Sequence, residues 1–432
     1  MLAPSHARPR VAAARPGSEV LFVVVALALT WLGTEFGTNP SVWYRQTPFG
    51  VPANFLLFFL LAAIVTPFVA TRPRFMLARR LDQLGLWKWI LIGWAVVGLA
   101  IVLGVLRNAP QLFADWRNLL VMGITVALAS KWLAAQAWRR YVLVDLAIAY
   151  GLAALPALVS YFLGQGRIVL GVQTTVFDGT TLYTAGFSAI TAAWYTLRPE
   201  PTYSRSRVIW LRVAGVGASL LILLSFRRSF WLLWIIGLTV AFFLAFRHRG
   251  GGIRLYLGLV AVALLMTIAT VAVGTEAILG RLGSFLPSAS GQYAVTNEDH
   301  VNDIIDAWRV IGREPLLGLG IGSTYETELI ADWKEESFEV HNAVLHVWLK
   351  FGIVGAAIYV IFHLQWVRAS LRSTATIPIA AFVIAEFLAT TFGTWPYGSF
   401  QMSVFHGLLI AALVVNSDRA IEAVRPRAAI AG

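Results

Sequence analysis

DHVNDIIDAWRVIGREPLLGLGIGSTYETELIADWKEESFEVHNAVLHVWLKFGIVG, the stretch Asp299–Gly355, gathers acids, glycines and histidines in a chain that is otherwise mostly apolar. Of the 432 residues, 58% are hydrophobic and only 13% are charged. A soluble globular protein carries about 25% charged residues. Repeated apolar runs of about 20 residues explain this deficit, because each run is long enough to cross the hydrocarbon core of a bilayer. We therefore predict an all-α polytopic membrane protein in which this polar stretch is the working part.

The apolar runs predict about 12 transmembrane helices. The first run follows Arg8, Arg10 and Arg15 and resembles a signal peptide. It is long and no small-residue cleavage pattern follows it, so we interpret it as a retained span. The predicted spans are Val20–Phe36, Phe49–Ala70, Leu86–Leu106, Asn118–Ala135, Tyr141–Leu163, Leu182–Leu197, Val208–Ser225, Phe230–Phe246, Leu255–Gly274, Ala343–Val367, Thr376–Gly393 and Gln401–Val415.

Basic residues are concentrated in alternate connections between these spans. The basic set includes Arg72, Arg74, Arg79, Arg80, Lys88, Arg139, Arg140, Arg198, Arg205, Arg207, Arg247, Arg249, Arg254, Arg368 and Arg372. Lys and Arg are enriched on the cytoplasmic side of membranes, so both termini are predicted to be cytoplasmic and the acidic segment Glu276–Asn342 forms one large outer loop. The net charge of +12 then reflects topology and contact with the lipid bilayer, not nucleic-acid binding.

The predicted organisation has three parts. Residues 1–275 form an N-terminal transmembrane bundle, residues 276–342 the large loop, and residues 343–432 the C-terminal transmembrane helices. The chain contains no Cys, which excludes disulfide bonds, thiol catalysis and thiolate metal sites.

An amphipathic helix is predicted inside the large loop. Val301, Ile304, Ile305, Trp308 and Ile311 recur at helical spacing, and Pro315 ends the helix. We expect this helix to lie along the outer membrane–water boundary. Its wetter side is predicted to carry Asn302, Asp303, Asp306 and Arg309 or Arg313.

His341 is the first candidate for chemistry, because it lies at the outer end of a predicted span directly after the acidic loop. A histidine accepts protons near neutral pH, and this position suits a lipid-anchored substrate. The alternative is an interfacial histidine that is only hydrogen-bonded at a helix start. His346 lies about 140° of helical rotation away and is predicted to pack.

Arg227 and Arg228 are the second candidates, in a very short outer turn between two apolar runs. Two guanidinium groups at membrane depth are costly unless they meet anions, and a diphosphate matches their planar forks. The alternative is that they extend toward lipid headgroups. Arg281, just after the span Leu255–Gly274, could either face a phosphate or pair with a loop acid.

Two further patterns are weaker. The glycines of G-L-G-I-G (Gly318, Gly320, Gly322) resemble a nucleotide-binding loop, but no predicted strand precedes them, so we interpret them as a flexible hairpin. The loop acids contain no Asp-x-Asp pair, and no metal site and no cofactor are predicted.

Three motifs together resemble the superfamily of O-antigen ligases and Wzy-type polysaccharide polymerases. They are the block P-L-L-G-L-G-I-G-S (Pro315–Ser323), the pattern H-N-x9-G-x2-G that places His341 and Asn342 before Gly352 and Gly355, and the outer turn Phe226–Ser229. The resemblance covers roughly Leu220–Gly393 with motifs and the rest of the chain as a pattern of spans.

The resemblance implies a membrane glycosyltransferase that takes a glycan from undecaprenyl diphosphate on the periplasmic face of the bacterial inner membrane. Transfer in this family inverts the anomeric carbon and needs no metal. His341 would be the catalytic residue, and Arg228, Arg227 and Arg281 would bind the diphosphate. A polymerase of this family usually works with a separate chain-length regulator protein.

The chain departs from the family pattern at two positions. Many members carry an arginine fifteen residues before the proline of Pro-Leu-Leu-Gly, where this chain has His300, so Arg281 or a protonated His300 would supply that cation. Ligases often carry threonine where this chain has Ala356, which favours a polymerase joining lipid-linked repeat units of an O-antigen or exopolysaccharide over a ligase acting on lipid A–core. A lipid-linked glycan transporter is a third hypothesis, disfavoured because the polar residues cluster at the outer face.

Overall fold

The computed structural model describes the greater part of the chain. The described residues are 18–31, 58–60, 62–63, 66, 76–164, 167–169, 172–174, 179–200, 202–249, 292–329, 333–337, 340–393 and 396–416. Arg281 and the predicted span Leu255–Gly274 lie outside them, and Phe49–Ala70 is described only in part.

Helices make up most of the described structure. They are α1 (Ser18–Trp31), α2 (Leu77–Gln83), α3 (Trp87–Leu106), α4 (Leu112–Ala134), α5 (Val142–Ala153), α6 (Leu155–Phe162), α7 (Gly179–Leu197), α8 (Arg205–Leu224), α9 (Arg228–Arg249), α10 (Gln292–Arg313), α11 (Ala343–Ser370), α12 (Ile377–Thr390) and α13 (Phe400–Asn416), with 3₁₀ turns at Ala137–Tyr141, Thr374–Thr376 and Pro396–Gly398. Each predicted span other than Phe49–Ala70 and Leu255–Gly274 coincides with one or two of these helices.

Five stretches of the described chain are helical, long and apolar enough to cross a membrane. They are Trp87–Leu106, Ala137–Phe162, Arg205–Leu224, Arg228–Arg247 and Ala343–Ser370. Three apolar helical stretches are shorter, at Ser18–Thr30, Thr374–Thr390 and Phe400–Asn416. The helices thus fit a multi-pass membrane protein, whereas the full number of spans and the side on which the large loop lies stay predictions, as does the three-part division of the chain.

Two short antiparallel strand pairs also form, which the all-α prediction did not include. β1 (Arg167–Val169) pairs with β2 (Val172–Thr174), and β3 (Tyr325–Leu329) pairs with β4 (Trp333–Ser337). The second pair joins Tyr325 to Ser337 at its open end. It therefore forms a hairpin inside the predicted loop, directly after the glycine-rich segment.

The core lies around α7 and α13, which are almost entirely buried. α7 packs against α5, α8, α9 and α12, and α13 packs along α4. The helices approach closely because small residues face one another: a Cβ on Gly151 of α5 would lie 2.6 Å from the backbone oxygen of Ala214 on α8. Small residues allow such close helix contacts in membrane bundles.

Segments predicted to be cytoplasmic meet at one end of the bundle. Arg207, at the start of α8, donates from Nε to Oδ1 of Asp145 at 2.7 Å and also binds Glu19 of α1. Arg372 donates to the carbonyl of Gln83 at 2.6 Å. α8 has 20 residues, or about 30 Å at 1.5 Å per residue, so the turn that follows it lies at the opposite end.

Helix α10 confirms the predicted amphipathic helix, and Arg309 and Arg313 are exposed on it as expected, but its two aspartates are not. Asp303 and Asp306 are only 3% and 7% exposed, so their placement toward solvent is wrong. Val301, Ile305 and Trp308, which the prediction placed on the apolar side, are exposed. The burial of Asp303 has a physical cause, because Asp303 accepts hydrogen bonds from Tyr325 and His341.

Candidate active site

His341 lies directly before α11 and is held by Asp303 of α10. The backbone N–H of His341 donates to Oδ2 of Asp303 at 2.7 Å, and the ring Nδ1 lies 3.1 Å from the same oxygen. The other carboxylate oxygen accepts a hydrogen bond from the hydroxyl of Tyr325 at the start of β3. Both oxygens of Asp303 are therefore engaged, and its orientation is fixed by two elements of the large loop.

The ionisation of Asp303 determines which nitrogen of His341 carries a proton. Burial acts to raise the pKa of Asp303, but the hydrogen bonds from His341 and Tyr325 outweigh it and hold the pKa below the usual value for aspartate. An ionised carboxylate can only accept hydrogen bonds, so the Nδ1 of His341 is the donor. In the neutral ring, Nε2 is then the unprotonated nitrogen that can accept a proton.

His341 also differs from the other histidines in its exposure. His346, His363 and His406 are at most 3% exposed, whereas 44% of the His341 side chain is exposed. The Nδ1 of His346 accepts from the backbone N–H of Val340 at 3.3 Å, which confirms that His346 packs. Among the histidines whose side chains the structure describes, His341 alone is open to a substrate.

Asn342 fixes the start of α11. Its Oδ1 caps the helix by accepting from the N–H of Leu345 at 3.0 Å, and its Nδ2 donates to the carbonyl of Thr391 at 3.0 Å. Asn342 thus ties α11 to the end of α12. The contacts give it a structural role in holding His341, which fits its position in the motif.

The two arginines lie in the tight turn between α8 and α9. Phe226 adopts a positive φ of 55°, an uncommon conformation for a residue other than glycine. The indole N–H of Trp231 donates to the carbonyls of Ile222 and Leu223 at 3.1 and 3.2 Å, which holds the turn closed. Arg227 is exposed at the turn and Arg228 is half-buried at the first residue of α9.

Contacts through α12 bring this turn and His341 to the same end of the bundle. A Cβ on Gly393 would lie 3.5 Å from the Cβ of Ser229, the residue after Arg228. Two residues before Gly393, Thr391 accepts the hydrogen bond from Asn342. The segment after α12 therefore lies between the arginine turn and the start of α11.

The segment G-L-G-I-G does not form the flexible hairpin predicted from its glycines. Its N–H groups donate to carbonyls on two helices: Leu319 to Leu349 at 2.7 Å, Gly320 to Lys350 at 3.0 Å, and Ile321 to Ala100 at 3.0 Å. A Cβ on Gly318 would lie 2.6 Å from the nitrogen of Gly352. The glycines are needed because the backbone is wedged between α3 and α11.

Gly352 of the H-N-x9-G-x2-G pattern is the residue of α11 against which Gly318 packs. It has φ 69° and ψ −178°, which interrupts α11 with a kink. The N–H of Ile353, directly after the kink, donates to the carbonyl of Pro315 at 3.0 Å. Two motifs that are far apart in sequence thus form one structural unit that leads from α10 into β3.

The remaining candidates are less defined. His300 lies on α10, but its side chain is outside the described residues, as is the whole of Arg281. Arg309 is exposed and pairs with Asp306 at 2.7 Å, as an acid-paired surface arginine would. Within the described part of the chain, no group of three or more His, Asp or Glu side chains is placed to hold a metal ion.

Sequence reasoning missed Asp303 as the partner of His341. The two residues are separated by 38 positions, and helical periodicity placed Asp303 on a solvent-facing surface. No local pattern links them, because their contact depends on how β3 and the start of α11 fold over α10. Tyr325 was missed for the same reason.

Comparison with known proteins agrees with the motifs. Residues 213–360 match the family model described as O-antigen ligase. None of the curated proteins compared with the chain matches it. The matched region contains the arginine turn, α10, the glycine segment and His341 through the kink of α11. Through this region, the chain is similar to the O-antigen ligase family.

Proposed function

We propose that the chain is a polysaccharide polymerase of the bacterial inner membrane. It would transfer a glycan from undecaprenyl diphosphate to an acceptor hydroxyl of another lipid-linked repeat unit, on the periplasmic face, with both termini in the cytoplasm. The product would be an O-antigen or exopolysaccharide. Transfer would invert the anomeric carbon and need no metal or cofactor, and a separate chain-length regulator protein would be a partner.

The observation that carries this proposal is the pair of Asp303 and His341. The ring of His341 is oriented through Nδ1 at 3.1 Å from Asp303 and is 44% exposed. A histidine whose Nδ1 is held by a carboxylate is oriented for proton transfer at Nε2, and the same carboxylate stabilises the imidazolium that forms. The family match supports the reaction class.

In the proposed reaction, Nε2 of His341 accepts the proton of the acceptor hydroxyl. The hydroxyl oxygen forms a bond to the anomeric carbon as the bond from that carbon to the diphosphate oxygen breaks. The electron pair of the broken bond stays on the diphosphate, which therefore gains negative charge. The proton on His341 is released to water after the product leaves.

Arg228 is proposed to stabilise this developing charge, together with Arg227. Preorganised cations lower a barrier most where charge develops in the transition state. Both arginines lie at the end of the bundle that holds His341, which supports this role. Arg281 is the third proposed diphosphate ligand, with His300 as the alternative source of that cation.

The alternative is a ligase that moves a finished glycan from undecaprenyl diphosphate to lipid A–core. The description of the matching family, O-antigen ligase, favours this alternative. Ala356, where ligases often carry threonine, favours the polymerase. Both reactions would use the same donor, base and cations.

The deciding experiment incubates the purified protein with one kind of lipid-linked oligosaccharide repeat and separates the products by size. A ladder of increasing length that is absent with His341→Ala supports the polymerase. No ladder, but transfer when lipid A–core is added, identifies a ligase. No product with either acceptor would overturn both reactions and favour a lipid-linked glycan transporter.

A further inference from the structure

Lys350 is a fully buried cation whose place in the fold the reaction does not explain. It lies on α11, two residues before the kink at Gly352, and is 0% exposed. Its ammonium group donates to the carbonyl of Ser323 and lies 3.7 Å from Oδ2 of Asp115 on α4. Burying a charge is costly unless it is paired and hydrogen-bonded.

Asp115 binds the same short segment from the other side. Its Oδ2 accepts a hydrogen bond from the backbone N–H of Gly322 at 2.9 Å. The carbonyl of Gly322 in turn accepts from the N–H of Gln111 at 3.0 Å. Gly322 has φ 76°, and a Cβ on it would collide with the backbone of Leu112. Lys350 and Asp115 therefore fix the backbone of Gly322 and Ser323 from two different helices.

This segment leads directly to the partner of the candidate base. Tyr325 follows Ser323 by two residues, and its hydroxyl donates to Oδ1 of Asp303. The other oxygen of Asp303 binds the backbone and the ring of His341. One continuous series of contacts thus runs from the buried ion pair through Tyr325 and Asp303 to His341.

We propose that Lys350 and Asp115 are positioning residues for His341. The proposal rests on the proposed function, in which His341 is the base. The ion pair fixes Ser323 and so sets where Tyr325 holds Asp303, and Asp303 sets the orientation of the imidazole ring. Lys350 is not a diphosphate ligand in this arrangement, because its side chain is enclosed and engaged with Ser323 and Asp115.

The test compares Lys350→Met and Asp115→Asn with a control that removes a comparable charge elsewhere. Asp145→Asn serves as this control, because Asp145 pairs with Arg207 at the opposite end of the bundle. We expect Lys350→Met and Asp115→Asn to lower kcat by about 10- to 100-fold, as loss of an outer support of a site does. The KM for the lipid-linked donor should change less than about twofold, since the diphosphate ligands are untouched. Asp145→Asn should leave kcat within about threefold of wild type.

A second readout is independent of turnover. Nitrogen-15 NMR of labelled histidine, with the His341 signal assigned by its loss in His341→Ala, reports whether the proton resides on Nδ1. Wild type should show the Nδ1-protonated form, and Lys350→Met should show a mixture of both tautomers.

A double variant tests whether the two changes act through the same ring. The kcat of Lys350→Met combined with Asp303→Asn should be no lower than the kcat of the slower single variant, because both changes act on the His341 ring.

Each outcome decides the proposal. Independent, additive losses of kcat in that combination, or an unchanged His341 signal in both Lys350→Met and Asp115→Asn, would overturn it. If Lys350→Met fails to fold, Asp115→Asn still tests the contact series. It keeps a hydrogen-bond acceptor for Gly322 and removes only the carboxylate that pairs with Lys350. If His341→Ala retains activity while the NMR signal responds to Lys350→Met, the positioning holds and the proposed role of His341 fails.

Discussion

Two histidine–carboxylate pairs lie at different depths of the bundle and differ in what they leave accessible. In the first, Nδ1 of His341 lies 3.1 Å from Asp303, and 44% of the histidine side chain is exposed. In the second, Nε2 of His406 lies 2.8 Å from both oxygens of Glu386, and the side chains are 0% and 1% exposed. A histidine and a carboxylate thus form an open pair in one place and a sealed pair in the other.

The sealed pair uses both nitrogens of its ring. Nδ1 of His406 lies 2.8 Å from the carbonyl of Met402, so it must be the donor there, and Nε2 shares one further proton with Glu386. His363 is likewise engaged at both nitrogens, by the carbonyl of Tyr359 at 2.8 Å and the hydroxyl of Tyr397 at 3.1 Å. A carboxylate beside a histidine therefore does not by itself mark a catalytic base. Exposure of the ring, as at His341, is the additional requirement.

Alanine substitution of the two histidines should separate these roles. His341→Ala should lower turnover by about 100-fold or more, the loss expected for a general base, with little change in the unfolding temperature. His406→Ala leaves Glu386 buried without its partner and should destabilise the protein by about 3–5 kcal/mol. Turnover per folded molecule should stay within about threefold of wild type. Product ladders and thermal unfolding in detergent measure the two effects.

A double substitution provides the control for the sealed pair. Replacing both His406 and Glu386 by leucine leaves neither polar group buried without its partner and should recover much of the stability lost in His406→Ala, because an apolar pair of similar volume can replace a buried polar pair. A His406→Ala variant that folds normally yet makes no product would contradict the structural role of the sealed pair, since that result would mean that His406 takes part in the reaction.

Arg228→Ala tests whether the arginine turn belongs to the same site as the open pair of His341 and Asp303. A hydrogen bond to a charged group contributes about 1.5–3 kcal/mol, so kcat/KM for the lipid-linked donor should fall by about 10- to 100-fold. Arg205→Ala is the matched control, because Arg205 is an exposed arginine at the opposite end of α8. Equal losses in both variants would mean that overall charge, not a local diphosphate contact, affects the donor.

The helices could be predicted from sequence because their signal is local. Apolar runs gave the positions of α3, α8, α9 and α11 to within a few residues, and the spacing of Val301 to Ile311 gave α10. The motif His341-Asn342 could be located because two adjacent residues carry it. These features depend on residues that are near one another in the chain.

The pairing within the site could not be predicted, because it depends on contacts between distant segments. Helical spacing predicts Asp303 on the solvent-facing side of α10, yet Tyr325 and His341 donate hydrogen bonds to its buried carboxylate. The glycines of Gly318–Gly322 were interpreted as flexible, although close approach to α3 and α11 is what requires them. Composition shows that a glycine is permissive, but only the tertiary structure shows whether that freedom serves motion or packing.

The pH dependence of stability is the smallest expected effect and tests whether Asp303 is ionised in the open pair. The pKa of Asp303 is lowered in the folded protein, where the hydrogen bonds from His341 and Tyr325 outweigh the effect of burial. The pKa of an aspartate in an unfolded chain is about 3.9. The contribution of Asp303 to stability is therefore complete above that pH and is lost only as the pH falls through the lower folded pKa.

Asp303→Asn, which cannot ionise, should be less stable than wild type by a constant amount between about pH 8 and pH 5, and this stability gap should narrow only below about pH 4. Thermal unfolding of both proteins at each pH measures this gap, with Tyr325→Phe as a variant that keeps the carboxylate. A gap that already narrowed between about pH 8 and pH 6 would contradict an ionised Asp303, and with it the assignment of the Nδ1 proton that leaves Nε2 as the accepting nitrogen of His341.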